Sequence, residues 1–178
     1  MVIGQGRCCS SERKIVIKQM DTLNKTCLII GWGSIGKRHY RVLKSYFYKV
    51  IVVSRHMSGE DFFESISDVP SIEEVAYVVI SNETSEHQRT IEEVQALVPT
   101  VPILVEKPLF LNLQNSAEAV YQHVYVGYNL RFSKVTDKIR SLLKNNTVYY
   151  ADFYAGQFLP SWRSGGDYKE SYSSKIDR

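Results

Sequence analysis

The stretch from Leu28 to His39, LIIGWGSIGKRH, decides the fold, because an aliphatic run is followed by three glycines in the spacing G-x-G-x-x-G. The run is typical of a buried strand, and helical spacing begins near the third glycine. In such a strand–turn–helix unit Gly31 permits a tight turn, Gly33 lets the backbone approach a phosphate, and Gly36 lets the helix pack on the strand. A turn that merely tolerates glycine is the alternative.

Aliphatic runs alternate with helical patterns along most of the chain. Strands that are apolar throughout, each followed by a helix, indicate a parallel sheet covered on both faces. We therefore predict an α/β fold, a Rossmann-type doubly wound parallel sheet. The predicted strands cover residues 26–30, 49–54, 75–81, 101–105 and 124–127. The predicted helices cover residues 35–46, 58–65, 85–97, 115–123 and 133–145.

The character of the chain changes at both ends of this alternation. Residues 1–24 show no sustained periodicity and are predicted to form a poorly ordered leader, so the nucleotide-binding domain is predicted over residues 25–127. Residues 128–178 are predicted to begin a second, incomplete α/β domain, with a long aromatic strand over 148–158. Few apolar residues follow that strand, and we expect the chain to be truncated there.

Composition excludes several classes of protein. A formal net charge of +3 in 178 residues is too small to indicate nucleic-acid binding, and no apolar run approaches the roughly 20 residues that cross a bilayer. The first 20 residues lack the apolar core of a signal peptide. Cys8 and Cys9 have no nearby residues that could complete a metal site. We expect a cytoplasmic protein without a metal or a membrane.

The end of the second predicted strand bears on which dinucleotide binds. Sites for NAD usually carry an acidic residue there, which accepts hydrogen bonds from the ribose. This chain has Ser54, Arg55 and His56 instead. A hydroxyl and a guanidinium suit a 2′-phosphate, so NADP is predicted and NAD is possible. Alternatively, Arg55 stacks on the adenine, which would suit either cofactor.

A second group of residues, Val105-Glu106-Lys107-Pro108, follows the fourth predicted strand. Ligands of open parallel sheets bind at the carboxyl ends of the strands, which is where Lys107 lies. An ammonium there can exchange a proton with a hydroxyl or polarise a carbonyl. The alternative is a surface lysine in a turn fixed by proline.

Four segments in this order, GWGSIGKRH, SNETSEH, VEKP and VGYNLRF, resemble the glucose–fructose oxidoreductase/inositol dehydrogenase (Gfo/Idh/MocA) family. The resemblance implies an NAD(P)-dependent oxidoreductase that acts on a sugar-like or nucleotide-sugar substrate, with Lys107 beside the nicotinamide as the main acid/base group. Full-length relatives are expected to form homo-oligomers. Glu83 and Lys134 stand where the family usually has proline.

The resemblance also extends the predicted site beyond the glycines and the lysine. The cofactor-binding residues are then predicted to be Gly31, Gly33, Ser34, Ile35, Gly36, Ser54, Arg55, Asn82, Thr84, His87, Glu106, Lys107 and Arg131. The substrate-side residues are predicted to be Tyr128, Asn129, Trp162, Arg163 and Tyr168. For the last three of these, simple packing is the alternative.

Two alternatives to an active oxidoreductase follow from the same residues. The family continues with a histidine that completes its catalytic site, whereas no histidine follows His123 in this chain. A catalytically inactive dinucleotide-binding fragment is therefore the alternative function. A methyltransferase that binds S-adenosylmethionine with the same glycines is disfavoured, because the acidic residue expected after the second strand is absent and Lys107 would have no role.

Overall fold

A computed structural model of the protein describes residues 25–111 and 121–154. Its strands are β1 (Thr26–Ile30), β2 (Lys49–Val53), β3 (Phe62–Phe63), β4 (Val75–Ile80), β5 (Ile103–Val105) and β6 (Val124–Val126). Its α-helices are α1 (Ser34–Leu43), α2 (His87–Leu97) and α3 (Lys134–Leu143). Short 3-10 helices cover Ile66–Asp68, Ile72–Glu74, Thr84–Glu86 and Asn129–Phe132.

The six strands form one sheet in the order β3-β2-β1-β4-β5-β6, and every neighbouring pair is parallel. Helices cover both faces of this sheet. Leu28 of β1 belongs to a buried cluster that contains Ile91 of α2. The next residue, Ile29, belongs to a second cluster against which Leu43 of α1 packs. The predicted Rossmann-type doubly wound fold is thus confirmed.

The order of the strands creates a crevice beside β1. From β1 the chain first adds β2 and β3 on one side and then β4, β5 and β6 on the other. Between β1 and β4, where the direction of winding changes, parallel sheets bind ligands at the carboxyl ends of the strands. Gly31 follows β1 and Ser81 follows β4 at this edge. The fold therefore brings the glycine turn to the position where a ligand is expected.

The described residues fall into two compact units that divide between Val126 and Gly127. In the second unit, the Oγ of Ser133 accepts a hydrogen bond from the backbone amide of Thr136 (3.1 Å) and so caps α3. The apolar stripe of α3, which includes Val135 and Leu142, is exposed.

The helix predicted over 58–65 is wrong. Phe62 and Phe63 instead form β3, which pairs with β2. Two backbone hydrogen bonds hold this pair: Val52 N–H donates to Asp61 O, and Ser54 N–H donates to Phe63 O, both at 2.8 Å. Adjacent residues of a strand face opposite sides, so the two phenylalanines pack against the two different core clusters.

The aromatic strand predicted over 148–158 is also wrong for its described part. Residues 148–154 form no strand, and aromatic side chains such as Tyr149 and Tyr154 are almost fully exposed. High β-propensity forms a strand only where another strand supplies hydrogen bonds, and within the described ranges none pairs with this segment. Most of the helix predicted over 115–123 lies outside the described residues, and residues 121–123 are not helical.

We predict that Gly36→Ala destabilises the fold, although alanine is the better helix former by about 1 kcal/mol. A Cβ at this position would overlap the carbonyl oxygen of Gly31, and overpacking of this kind costs about 1–3 kcal/mol. The matched control is Gly33→Ala, whose Cβ would meet no atom of the described residues within 4 Å. Urea unfolding followed by circular dichroism measures both. A Gly36→Ala variant as stable as the wild type would contradict this packing.

Candidate functional site

The first glycine of the motif cannot be replaced without strain. Gly31 has a φ of +102°, and a Cβ on it would lie 2.6 Å from the carbonyl carbon of Ser81 and from the amide nitrogen of Asn82. Its own N–H donates to the carbonyl oxygen of Val53 (2.9 Å). Gly31 therefore touches the ends of both neighbouring strands, which requires both its left-handed backbone and its missing side chain.

The second glycine differs, because the described residues leave the space beside it empty. Gly33 precedes α1 as its N-cap, and a Cβ on it would meet no atom of residues 25–111 or 121–154 within 4 Å. No side chain in these ranges caps α1, and its first turn has no acidic residue. The first amides of a helix have no intrahelical acceptor. Open space beside the exposed Ser34 and Ile35 thus fits an anionic group such as a pyrophosphate.

The end of β2 lies next to this turn, because Val53 accepts the hydrogen bond from Gly31. Ser54 follows it and is half-buried, and its backbone is held by β3. Arg55 is exposed and forms no ion pair within residues 25–111 and 121–154. A guanidinium beside the glycine turn is therefore available to an anionic ligand.

The end of β4 forms the other wall of the crevice. The Oγ of Ser81 lies within hydrogen-bonding distance of two carbonyl oxygens to which it can donate, those of Ile30 (3.2 Å) and Gly31 (3.1 Å). The Nδ2 of Asn82 donates to the Oγ1 of Thr90 (2.9 Å), but its Oδ1 is buried and finds no hydrogen-bond donor in the described part of the chain. Asn82 thus keeps a buried, unpaired acceptor at the end of β4. Thr84 begins the 3-10 helix Thr84–Glu86.

Residues 106–109, here called the lysine loop, follow β5 at the same edge of the sheet. Glu106 N–H donates to the carbonyl oxygen of Ile80 (2.9 Å), which continues the pairing of β5 with β4. The side chain of Lys107 is exposed and, among the residues described, is paired with no carboxylate. The peptide bond between Lys107 and Pro108 is cis. The ammonium is thus free to meet a ligand.

A histidine on α1 holds the first residue of this loop. His39 Nε2 lies 2.8 Å from Glu106 Oε1, and each side chain is only 22% exposed. The hydrogen bond from His39 is the main reason that the pKa of Glu106 lies below its usual value. The charge of Lys107 also lowers this pKa, whereas partial burial opposes the shift. Glu106 is therefore an ionised acceptor for the imidazole N–H.

A second histidine holds the other end of the lysine loop. His87 is 1% exposed, and its Nδ1 lies 3.0 Å from the carbonyl oxygen of Pro108 and 3.2 Å from that of Leu109. Because both partners are acceptors, Nδ1 carries the proton. Nε2 is buried and has no partner among the described residues. The structure thus brings His87 to the lysine loop, and its contact with a cofactor stays a prediction.

The residues predicted for the substrate side lie either in the second unit or outside the residues that the structure describes. Tyr128 precedes the 3-10 helix Asn129–Phe132, in which Arg131 N–H donates to the carbonyl oxygen of Tyr128 (3.1 Å). The side chains of Tyr128, Asn129 and Arg131 are exposed. Trp162, Arg163 and Tyr168 lie outside the described residues.

Sequence reasoning missed two residues of this region. It assigned no site role to Trp32 or His39. Trp32 packs edge-to-face on Tyr40 (5.2 Å between ring centroids) and on Phe62 (5.0 Å), so it anchors the glycine turn to the core. His39 could have been noticed, because it is the last residue of the matched segment GWGSIGKRH.

In residues 25–111 and 121–154, no helix has the length and hydropathy needed to cross a membrane. Within the same ranges, no group of three or more His, Cys, Asp or Glu side chains is arranged to hold a metal ion. The single cysteine described, Cys27, is free and buried, and burial raises the pKa of its thiol.

Several solved structures share this fold. Scyllo-inositol dehydrogenase from Lactobacillus casei is 18% identical with a TM-score of 0.55, and the match covers 70% of this chain and 43% of that one. UDP-N-acetylglucosamine 3-dehydrogenase GnnA from Acidithiobacillus ferrooxidans is 21% identical with a TM-score of 0.54, over 67% and 42%. GenD2 from gentamicin A biosynthesis, solved with NAD, is 21% identical with a TM-score of 0.53, over 67% and 38%.

These likenesses establish the fold, and the chain spans less than half the length of each of the three proteins. Comparison with curated proteins gave no significant match. Residues 25–124, more than half of the chain, match the family model described as an oxidoreductase family with an NAD-binding Rossmann fold. The chain therefore belongs to the Gfo/Idh/MocA family of oxidoreductases.

Proposed function

We propose that this chain binds NADP(H) and serves an oxidoreductase that moves hydride between the nicotinamide and a sugar-like or nucleotide-sugar substrate. The proposal rests on the space beside Gly33, which no described residue fills. This space lies at the start of α1, which has no side-chain cap among the described residues. It follows β1, beside which the direction of winding of the sheet changes. The wider fold requires glycine at Gly31 and Gly36, but none of the residues described requires it at Gly33. A pyrophosphate bound beside Gly33 would explain why this position is glycine.

The order of the strands also sets the reach of the site. β1, β4 and β5 are neighbours, so the glycine turn and the lysine loop leave the sheet two strands apart, about 10 Å at the usual spacing. A dinucleotide lying along this edge would have its pyrophosphate at α1 and its nicotinamide toward Lys107. Asn82 lies just after β4, the strand between β1 and β5, and its unpartnered Oδ1 is proposed to accept a hydrogen bond from a ribose hydroxyl.

Lys107 is proposed as the main acid/base group. When bound, the nicotinamide supplies the acceptor or donor of hydride. The amine form of Lys107 takes the hydroxyl proton as a carbinol is oxidised, and its ammonium form returns that proton to the oxygen when a ketone is reduced. The exposed side chain of Lys107 has no competing carboxylate partner within the part of the chain described, which leaves its Nζ free for this exchange.

The substrate class rests on the relatives and on the resemblance. Two similar structures are an inositol dehydrogenase and a UDP-N-acetylglucosamine dehydrogenase, so a polyol or a nucleotide sugar is proposed for this chain. Tyr128 and Asn129 are proposed for the substrate side, as are Trp162, Arg163 and Tyr168. We also propose that the chain is cytoplasmic, in keeping with the free, buried Cys27, and that its full-length relatives form homo-oligomers.

We predict that the chain binds NADPH about tenfold or more tightly than NADH, because a hydrogen bond to a charged group contributes roughly 1.5–3 kcal/mol. Arg55→Asp should reverse the preference by repelling the 2′-phosphate. Fluorescence titration with both cofactors measures it. Arg89→Asp, on the exposed side of α2, makes the same change in net charge and should keep the preference. An unchanged preference in Arg55→Asp would overturn the role of Arg55.

We predict that Lys107→Met lowers turnover about 100-fold or more, the usual contribution of a general acid/base, and changes the Kd for NADPH less than about threefold. Turnover is assayed with NADP⁺ and a panel of inositols and UDP-N-acetylglucosamine. The exposed Lys138→Met is the control. Persistent turnover without Lys107 would contradict its role. Cofactor binding without any turnover would favour the inactive dinucleotide-binding fragment.

A further inference from the structure

The lysine loop is held on both sides of Lys107 by imidazoles from two different helices. Before the lysine, Glu106 is held by His39 of α1 at 2.8 Å. After it, the carbonyl oxygens of Pro108 and Leu109 accept from His87 of α2 at 3.0 and 3.2 Å. The two helices cover opposite faces of the sheet.

We propose that His39 and His87 are positioning residues for Lys107. His39 holds the side chain of Glu106 before the lysine, and His87 holds the backbone carbonyls of Pro108 and Leu109 after it, so that together they determine where the ammonium lies. The inference rests on the proposed function, because only a reacting lysine needs such placement. Positioning supplies a large part of enzymatic rates, and misplacement by about 1 Å can cost about 100-fold. Neither histidine needs to touch the substrate for this effect.

The contact of His39 also decides which partner the Glu106 carboxylate takes. Glu106 is next to Lys107 in the chain, and the charge of Lys107 acts on it. Pairing within the loop would tie down the ammonium. Instead the carboxylate accepts the imidazole N–H of His39, while Lys107 forms no ion pair in the described ranges. His39 thus keeps the neighbouring acid occupied and the lysine free.

The same contact joins the lysine to the proposed phosphate site. His39 lies on α1 three residues after Gly36, so one rigid helix presents its first amides to the proposed pyrophosphate and its imidazole to Glu106. A ligand that restrains the start of α1 would therefore also restrain the lysine loop. His87 supplies a second, buried attachment that is independent of α1.

Hydrogen exchange of single amides, measured by NMR without cofactor, tests the inference. Relative to the core amides of Val79 and Leu104, exchange of the Glu106 and Lys107 amides should rise about fivefold in His39→Leu, as expected for the loss of one partly buried hydrogen bond. His39→Gln, which keeps an N–H donor, should stay within about twofold of the wild type. Arg41→Gln, on the exposed side of α1, is the control.

A second arm tests His87 at the Leu109 amide. His87→Asn keeps a donor and should stay near the wild-type rate, whereas His87→Val should raise exchange there about fivefold if it folds. Unchanged loop exchange in folded His39→Leu would overturn the inference, as would equal effects of the Gln and Leu variants. If NADPH fails to alter the wild-type spectrum while these differences persist, the proposed function fails, and what stands is that the two histidines hold the lysine loop in place.

Discussion

The steric contact among Gly31, Gly36 and Ser81 is the constraint on which the rest of this site depends. The carbonyl oxygen of Gly31 lies where a Cβ of Gly36 would be, and the backbone of Ser81 lies where a Cβ of Gly31 would be. Because Gly31 and Gly36 have no side chains, the start of α1, the end of β1 and the end of β4 can pack closely together. Without it α1 would lie farther from the sheet, and its first amides would not face the crevice.

The position of α1 has consequences for the lysine loop as well. With α1 drawn onto the sheet, His39 in its second turn reaches Glu106 beyond β5. His87, in the first turn of α2, reaches the same loop from the other layer. The proposed phosphate site and the proposed acid/base group are thus parts of one hydrogen-bonded structure built around the carboxyl ends of three adjacent strands.

The sequence predicts most of this sheet because buried parallel strands are nearly continuous runs of aliphatic residues, as in Val75–Ile80. It does not predict β3, because a strand of two residues leaves no periodicity in the polar stretch around Phe62. The opposite error occurs near residue 150. The tyrosines there have high β-propensity, which predicted a strand, but no described strand pairs with them and none forms.

The glycine turn and Lys107 could likewise be predicted, since their spacing is local. The contact between His39 and Glu106 could not, because 67 positions separate the two residues and only the folded sheet brings them together. The unpaired Oδ1 of Asn82 could not be predicted either, because it depends on the hydrogen bond that the Nδ2 of Asn82 donates to Thr90 in the folded protein.

The central claim is that the uncapped start of α1 beside Gly33 holds the phosphates of a dinucleotide. The most direct measurement is a two-dimensional NMR titration of the chain with NADPH, following the backbone amides of Ser34, Ile35 and Gly36. The account predicts saturable shifts at these three amides, in step with shifts at Ser54 and Arg55. Saturable binding that leaves the three amides unshifted, or no binding at all, would contradict it.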